Sequence, residues 1–423
     1  MAIKSYIGVD GKARQVKHIY IGVSGKARRI TTAYIGDSNG IAKYAYMCPG
    51  DIHMYNTAGL SSILPGGGLG MASGAHVGND ISNQTAIIAG GGTNISGTFT
   101  ILKKVYSIDP YLVLSELTDL TEKRARMCSA SSLKYALFAG QQDNYAGTSK
   151  SATVFAYSNT LTMTNPANLS YNARTWMCAT AINTTHVKPD GGSIFAGGWT
   201  GSRDVDYYDN NLTHRTLEDL PSDLYGEGIG AALSYNGAII AGGEAVSTHF
   251  SRALLYNKNA TRASLSNLTV GRAFMATAYL GYKYTIFAGG ISGSAKYSNA
   301  VDAYDPNNTL ISLPSLPREN YCMGSCTVMN NEYVVFAGGN KNYSDTAVVY
   351  TSDLTRTSFV GSRKVSQIKP VGEKYAPSSR CNMALTCAGK YGLMIGGCFY
   401  SGIGGYSGTK YCWDNIMIFK YAE

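Results

Sequence analysis

The chain has 423 residues, 44% of them hydrophobic and only 15% charged, so it can bury a large core and is not a charge-rich disordered segment. The formal net charge is +9, yet neither an aromatic platform nor a base-reading helix accompanies the basic residues, so nucleic acid is not the expected partner. No apolar run approaches the roughly eighteen residues of a membrane span, and the start MAIKSYIGVD lacks the apolar h-region of a secretory signal, so membrane insertion and signal-led export are not expected.

The first element is a short-period repeat. SYIGVDGKARQVKH is followed by IYIGVSGKARRITT and AYIGDSNGIAKYAY, with Tyr6, Tyr20 and Tyr34 spaced by fourteen. Each copy alternates apolar and polar residues and turns at Asp10-Gly11, Ser24-Gly25 or Asn39-Gly40, the signature of hairpins. Residues 1–47 hold eight Lys or Arg against two acids, +6 of the formal +9. This is either a solvated basic face or a segment that docks on an acidic partner. The Y-I-G-V-x-G-K-A-R phrase resembles N-terminal repeats of tail and baseplate-associated proteins of phages and prophages of Gram-positive bacteria. The resemblance implies that residues 1–47 anchor the chain to a tail particle, through Tyr6, Lys12, Arg14, Tyr20, Lys26, Arg28, Arg29 and Tyr34. It also implies a virion protein, made in the host cytoplasm and released by lysis.

From residue 48 to 423 a longer repeat takes over. An apolar run stops at glycine in AIIAGG (86–91), ALFAGQ (136–141), SIFAGG (193–198), AIIAGG (238–243), TIFAGG (285–290), VVFAGG (334–339) and GLMIGG (392–397). The runs are too short for helices and rich in Ile, Val and Phe, which predicts strands. Before each lies a small-residue strand, often opened by Arg: Arg124, Arg174, Arg272, Arg318 and Arg380. After it comes a strand ending in an aromatic: Tyr106, Tyr157, Tyr208, Tyr256, Tyr304, Tyr350 and Phe419. A weaker fourth strand follows, as in ATRASLSNL at 260–268 and TLISLPSLP at 309–317. Each unit is thus expected to hold four antiparallel strands. The last unit has no fourth strand before Glu423, and TAGLSSIL at 57–64 has no unit of its own, so 57–64 is predicted to complete it.

These units resemble the kelch repeat: Arg, then Gly-Gly, then V-x-x-Y-D, then a Leu-Pro run. The resemblance covers roughly residues 57–423 and implies an all-β, seven-bladed kelch-type β-propeller closed by an N-terminal strand and preceded by the small hairpin segment. There are departures: Gln141 replaces a second glycine, the usual fourth-strand tryptophan is missing, and Tyr225-Gly226-Glu227 stands where Arg would be.

Chemistry is harder to find. The six histidines, His18, His53, His76, His186, His214 and His249, show no ligand spacing, so no metal or cofactor is expected. Of the nine cysteines, Cys128, Cys178, Cys322, Cys326, Cys381 and Cys387, in or beside the small-residue first strands, read as small buried hydrophobes. Pairing of Cys398 with Cys412, which flank one loop, stays open. Glu227, Glu244 and Glu319 fall near predicted blade openings, but spacing alone does not bring them together.

Binding has more to use. In the kelch family, residues after the Gly pair and after the first-strand Arg line the central pocket. Carried over, these are Gln142, Trp199, Glu244, Asn340 and Phe399, with Thr175 and Glu319. The arginines themselves are expected to brace loops. The loop CFYSGIGGYSGTKYC at 398–412, with Tyr400 and Tyr406, has a paratope-like mixture of Tyr, Ser and Gly, as do 141–152 and 339–347. The expected protein is a non-enzymatic receptor-binding head on a phage tail, contacting a bacterial surface glycan or protein, with avidity favouring several copies. The alternatives are a structural assembly protein of the particle and, third, a glycan-processing enzyme.

Overall fold

The computed structural model describes residues 69, 71–78, 80–95, 98–140, 151–170, 174–185, 191–198, 201–293, 296–329, 331–339, 347–358, 383–400, 409–412 and 416–421. It also describes the backbone of seven strands within 6–56; strands 398–400 and 409–412 are likewise described by backbone alone. Seven four-stranded antiparallel sheets form a seven-bladed β-propeller. The innermost strands are Ser73–Val77, Cys128–Ser131, Cys178–Ala181, Gly230–Ser234, Ala276–Leu280, Gly324–Val328 and Ala384–Ala388. Each touches the next, and the last touches the first, so the ring closes around an axial channel.

The continuous apolar runs make physical sense in this ring. Each second strand is buried on both faces, and successive side chains point to opposite neighbours. In the fifth blade, Phe287 packs toward blade four and Ile286 toward blade six. The core is therefore seven interblade layers rather than one centre; the layer between the seventh and first blades joins Ile395, Ile416 and Ile418 to Ile88, Ile108 and Leu69.

The glycine that ends each run is required by the next blade. At Gly242 (φ +71°) an added Cβ would lie 2.4 Å from the Arg272 carbonyl oxygen and 2.5 Å from the Met275 methyl. The following glycine's N–H donates to that same carbonyl: Gly243 to Arg272 at 2.9 Å, Gly290 to Asn320 at 2.8 Å and, across the closure, Gly397 to Leu69 at 2.7 Å. The third-strand tyrosines staple each blade to the connection arriving from the blade before. Tyr157, Tyr208, Tyr256 and Tyr304 donate to the carbonyls of Thr118, Ala167, Glu218 and Ser266 at 2.6–3.0 Å.

Three registers differ from the sequence reading. The outer strand of the last blade is Ile52–Asn56, paired with Ile416–Tyr421; residues 57–64 lie outside the described residues. Chain reach explains it. Other blades use 117–127, 265–275 or 313–323 to run from an outer strand to the next inner strand, and 65–72 would be shorter than any of these. In the first blade Tyr106 opposes Ile88, as Asp302 opposes Phe287, so Ile108 holds the position that Tyr304 holds in the fifth. In the sixth, Asn320 rather than Arg318 takes the arginine position, two residues before Cys322.

The N-terminal repeat forms three antiparallel hairpins: Tyr6–Val9 with Lys12–Gln15, Ile19–Val23 with Lys26–Ile30, and Thr32–Gly36 with Ala42–Met47. The first two share one register, with Tyr6 opposite Gln15 and Tyr20 opposite Arg29. Asp10-Gly11 and Ser24-Gly25 are the two residues between the paired strands of each, and they themselves lie outside the described residues.

Candidate functional site

The two ends of the channel differ. At the end where the glycine pairs lie, one described residue in each of six blades takes a left-handed conformation two positions before the inner strand: Met71, Arg126, Trp176, Gly228, Phe274 and Cys322, with φ between 52° and 66°. Five of the six carry side chains, and such backbone is sparsely populated away from glycine. Backbone hydrogen bonds link the series, from Arg126 N–H to Met71 O at 2.9 Å and from Phe274 N–H to Gly228 O at 2.8 Å.

Several of their side chains meet at the channel mouth and form a cap there. The Arg126 guanidinium lies 4.9 Å from the Trp176 ring centroid. Trp176 meets Phe274 edge-on at 5.7 Å and 89°. The two rings belong to blades three and five, and Gly228 between them leaves the space: a Cβ there would come within 2.9–3.0 Å of Phe274.

Beside this cap stands an acidic pair. Glu227 and Glu244 oppose each other in an antiparallel bridge, with N–H to O distances of 2.9 and 3.1 Å. Directly opposed residues share a face, so the two carboxyls are neighbours. Burial, and then the Glu244 charge, push the Glu227 carboxyl above its ordinary value. Glu244 Oε2 in turn lies 2.7 Å from His249 Nε2, across the short ribbon Glu244–Ala245 and Thr248–His249. Glu227 directly precedes Gly228 of the left-handed series, which places the acidic pair beside the cap. Aromatic pairs ring the same face: Tyr225 with Phe250 at 5.5 Å, and Tyr297 stacked on Tyr321 at 4.9 Å.

The arginines brace. Arg272 and Asp302 pair at 2.6 Å with both side chains fully buried, and Arg174 pairs with Asp206 in the same way. Arg272 Nη1 also reaches Gly289 O at 3.0 Å, and Asn320 Nδ2 reaches Gly338 O at 2.7 Å from the equivalent position. Arg124, whose blade has Phe155 where Asp302 stands, turns to Glu122 instead.

The sequence candidates divide. Glu244 is at the mouth, paired with His249. Thr175 is 4% exposed and sits beneath it. Glu319 is exposed on the connection before the sixth blade; the corrected register gives the mouth-side position to Tyr321. Phe399 and Tyr400 lie on the ribbon Cys398–Tyr400, which pairs with Thr409–Cys412 so that Cys398 opposes Cys412. Gln142, Trp199, Asn340 and Tyr406 lie outside the described residues. Lys12, Arg14, Lys26, Arg28 and Arg29 fall on the second strands of the first two hairpins, and Tyr6, Tyr20 and Tyr34 on first strands. Sequence reading missed Arg126, Trp176 and Phe274. A signal was present: each precedes a methionine in R-A-R-M, R-T-W-M and R-A-F-M, with a large, varying residue amid small ones.

No protein-family model matches this chain, and no curated protein matches it. Among solved structures, that of YjhT superimposes with a TM-score of 0.51 and 13% identity, over 71% of this chain and 95% of that one. At that identity the likeness concerns the propeller fold alone.

Proposed function

We propose that this protein is a non-enzymatic binding head, carried on a phage tail or tail-like particle, whose channel-mouth face takes a bacterial surface glycan. The observation that carries the binding reading is the mouth itself: an Arg126–Trp176–Phe274 cap beside the Glu227–Glu244–His249 cluster. Aromatic rings cover the C–H faces of sugars, and carboxylates accept hydroxyl hydrogen bonds. The kelch-like layout of the repeats supports this choice of face. The Y-I-G-V-x-G-K-A-R hairpins support attachment to the particle through residues 1–47.

Full-length protein should bind whole cells of a host that the particle infects, and Trp176→Ala should weaken that binding about tenfold, or about 1.4 kcal/mol. Unchanged binding by the variant would move the contact away from the mouth. No binding by the parent protein would favour a structural role on the particle. A second reading rests on the paired carboxyls, since two neighbouring carboxyls, one of them held above its ordinary value by burial, suit glycoside hydrolysis. Release of reducing sugar from host glycan, lost in Glu227→Gln and Glu244→Gln, would establish that reading instead.

A further inference from the structure

The far end of the channel is built differently from the capped mouth. The channel encloses about 240 Å³ and runs away from the cap, toward the turns that carry Gly78, Gln84, Tyr282 and Asn331. Its walls are the inner strands of all seven blades. Among the described residues, none that lines it is Asp, Glu, Lys or Arg. Small residues such as Gly74, Ala179 and Ala231 leave the space, while His76, Gln84, Tyr279, Tyr282, Asn331 and Thr327 bring hydrogen-bonding groups.

The titratable groups on this wall are neutral at physiological pH. His76 Nδ1 lies 3.4 Å from Cys387 Sγ. Burial pulls the imidazole down to about 4 and pushes the thiol up to about 12, so the pair is not a thiolate–imidazolium. Burial likewise raises the Tyr279 and Tyr282 phenols. The Tyr279 hydroxyl is positioned by Asn183 Nδ2 at 3.4 Å, and the two tyrosine rings meet edge-on at 6.3 Å. The volume is below the roughly 300–1,000 Å³ of drug-sized sites.

We infer that the open end of the channel is a second binding site, separate from the capped mouth, for a neutral polyhydroxylated or amide-bearing molecule the size of one sugar residue. Donors and acceptors without formal charge satisfy hydroxyls and amides. A charged ligand would enter desolvated and unpaired. The inference does not depend on the function proposed for the mouth.

The test is titration of the full chain with glucose, N-acetylglucosamine, glucosamine and glucuronate, followed by ligand-observed NMR and calorimetry. At least one neutral probe is expected to saturate, with the cationic and anionic probes weaker by about tenfold or more. Ala179→Leu, which fills the channel, should abolish binding, and Tyr279→Phe, which keeps the volume, should weaken it. Trp176→Ala should leave it unchanged. Failure of both neutral probes to saturate, equal binding of the charged probes, or persistence of binding in folded Ala179→Leu and Tyr279→Phe overturns the assignment. Loss of binding in Trp176→Ala alone assigns the sugar to the capped mouth.

Discussion

Blades four and five are neighbours with the same strand order, yet they hold their mouth ends by opposite means. Blade five buries an ion pair, Arg272 with Asp302, and opposes Ala273 to Ile291 above it. In blade four Gly226 replaces the arginine, Leu254 stands at the aspartate position, and Glu227 opposes Glu244. Both halves of the ion pair have gone together. A lone buried charge is costly, whereas an apolar residue in its place is not. The lesson is that the blade scaffold tolerates either brace. Freed of the arginine, blade four turns its mouth end into an acidic pair.

The comparison can be broken most sharply at Arg272. Arg272→Gly alone leaves Asp302 buried without its cation and should cost about 3–5 kcal/mol in denaturant unfolding. Adding Asp302→Leu, which copies blade four, should recover most of that loss. The reverse graft should fail by about 1–3 kcal/mol: Gly226 has φ +94°, and a Cβ there would lie 2.1 Å from the Glu244 carbonyl oxygen, so Gly226→Arg is strained. The tyrosine staple is common to both blades. Tyr304→Phe and Tyr256→Phe should therefore cost similar amounts, about 1 kcal/mol each, by loss of the bonds to Ser266 and Glu218.

The smallest effect concerns pH. A carboxyl held above its ordinary value stabilises the fold when protonated, and that contribution is lost as pH rises through the elevated value. Ionised Glu227 is thus a liability at neutral pH, set by burial and by Glu244, with His249 on the far side of Glu244. Glu227→Gln should raise stability there by less than about 1 kcal/mol, because solvent screens a half-exposed group. The gain should vanish as the pH falls below 4.5, the ordinary value. Unfolding midpoints across the pH range would show it. No such trend is expected for Ala273, its counterpart in blade five.

Much of this was legible before any coordinates. Seven runs ending in glycine predicted seven second strands, and the tyrosines predicted most third strands. The register errors in the first and sixth blades share one origin. In the first blade, KVYSIDP offers its tyrosine two positions early, and in the sixth, RENYC offers its arginine two positions early. A shift of two keeps every side chain on the same face, so strand patterning cannot detect it. The closing strand was misplaced because IHMYN and TAGLSSIL are both short and partly apolar, and only the reach to Ser73 separates them. The cap escaped because Arg126, Trp176 and Phe274 lie one and two repeats apart in the chain and share only a left-handed backbone.

What the sequence determined by itself is local and repeated: where strands run, where glycine must end them, and that each blade is apolar on both sides. These follow from strand periodicity and from the absence of a Cβ, which act within a few residues. Tertiary structure alone decided what meets across blades. It joined Trp176 to Phe274 over Gly228, and it left one channel end capped and the other, among the described residues, lined without a charged side chain. Those contacts depend on how many blades close the ring and in what register, because only closure brings equivalent positions of distant repeats to a common axis.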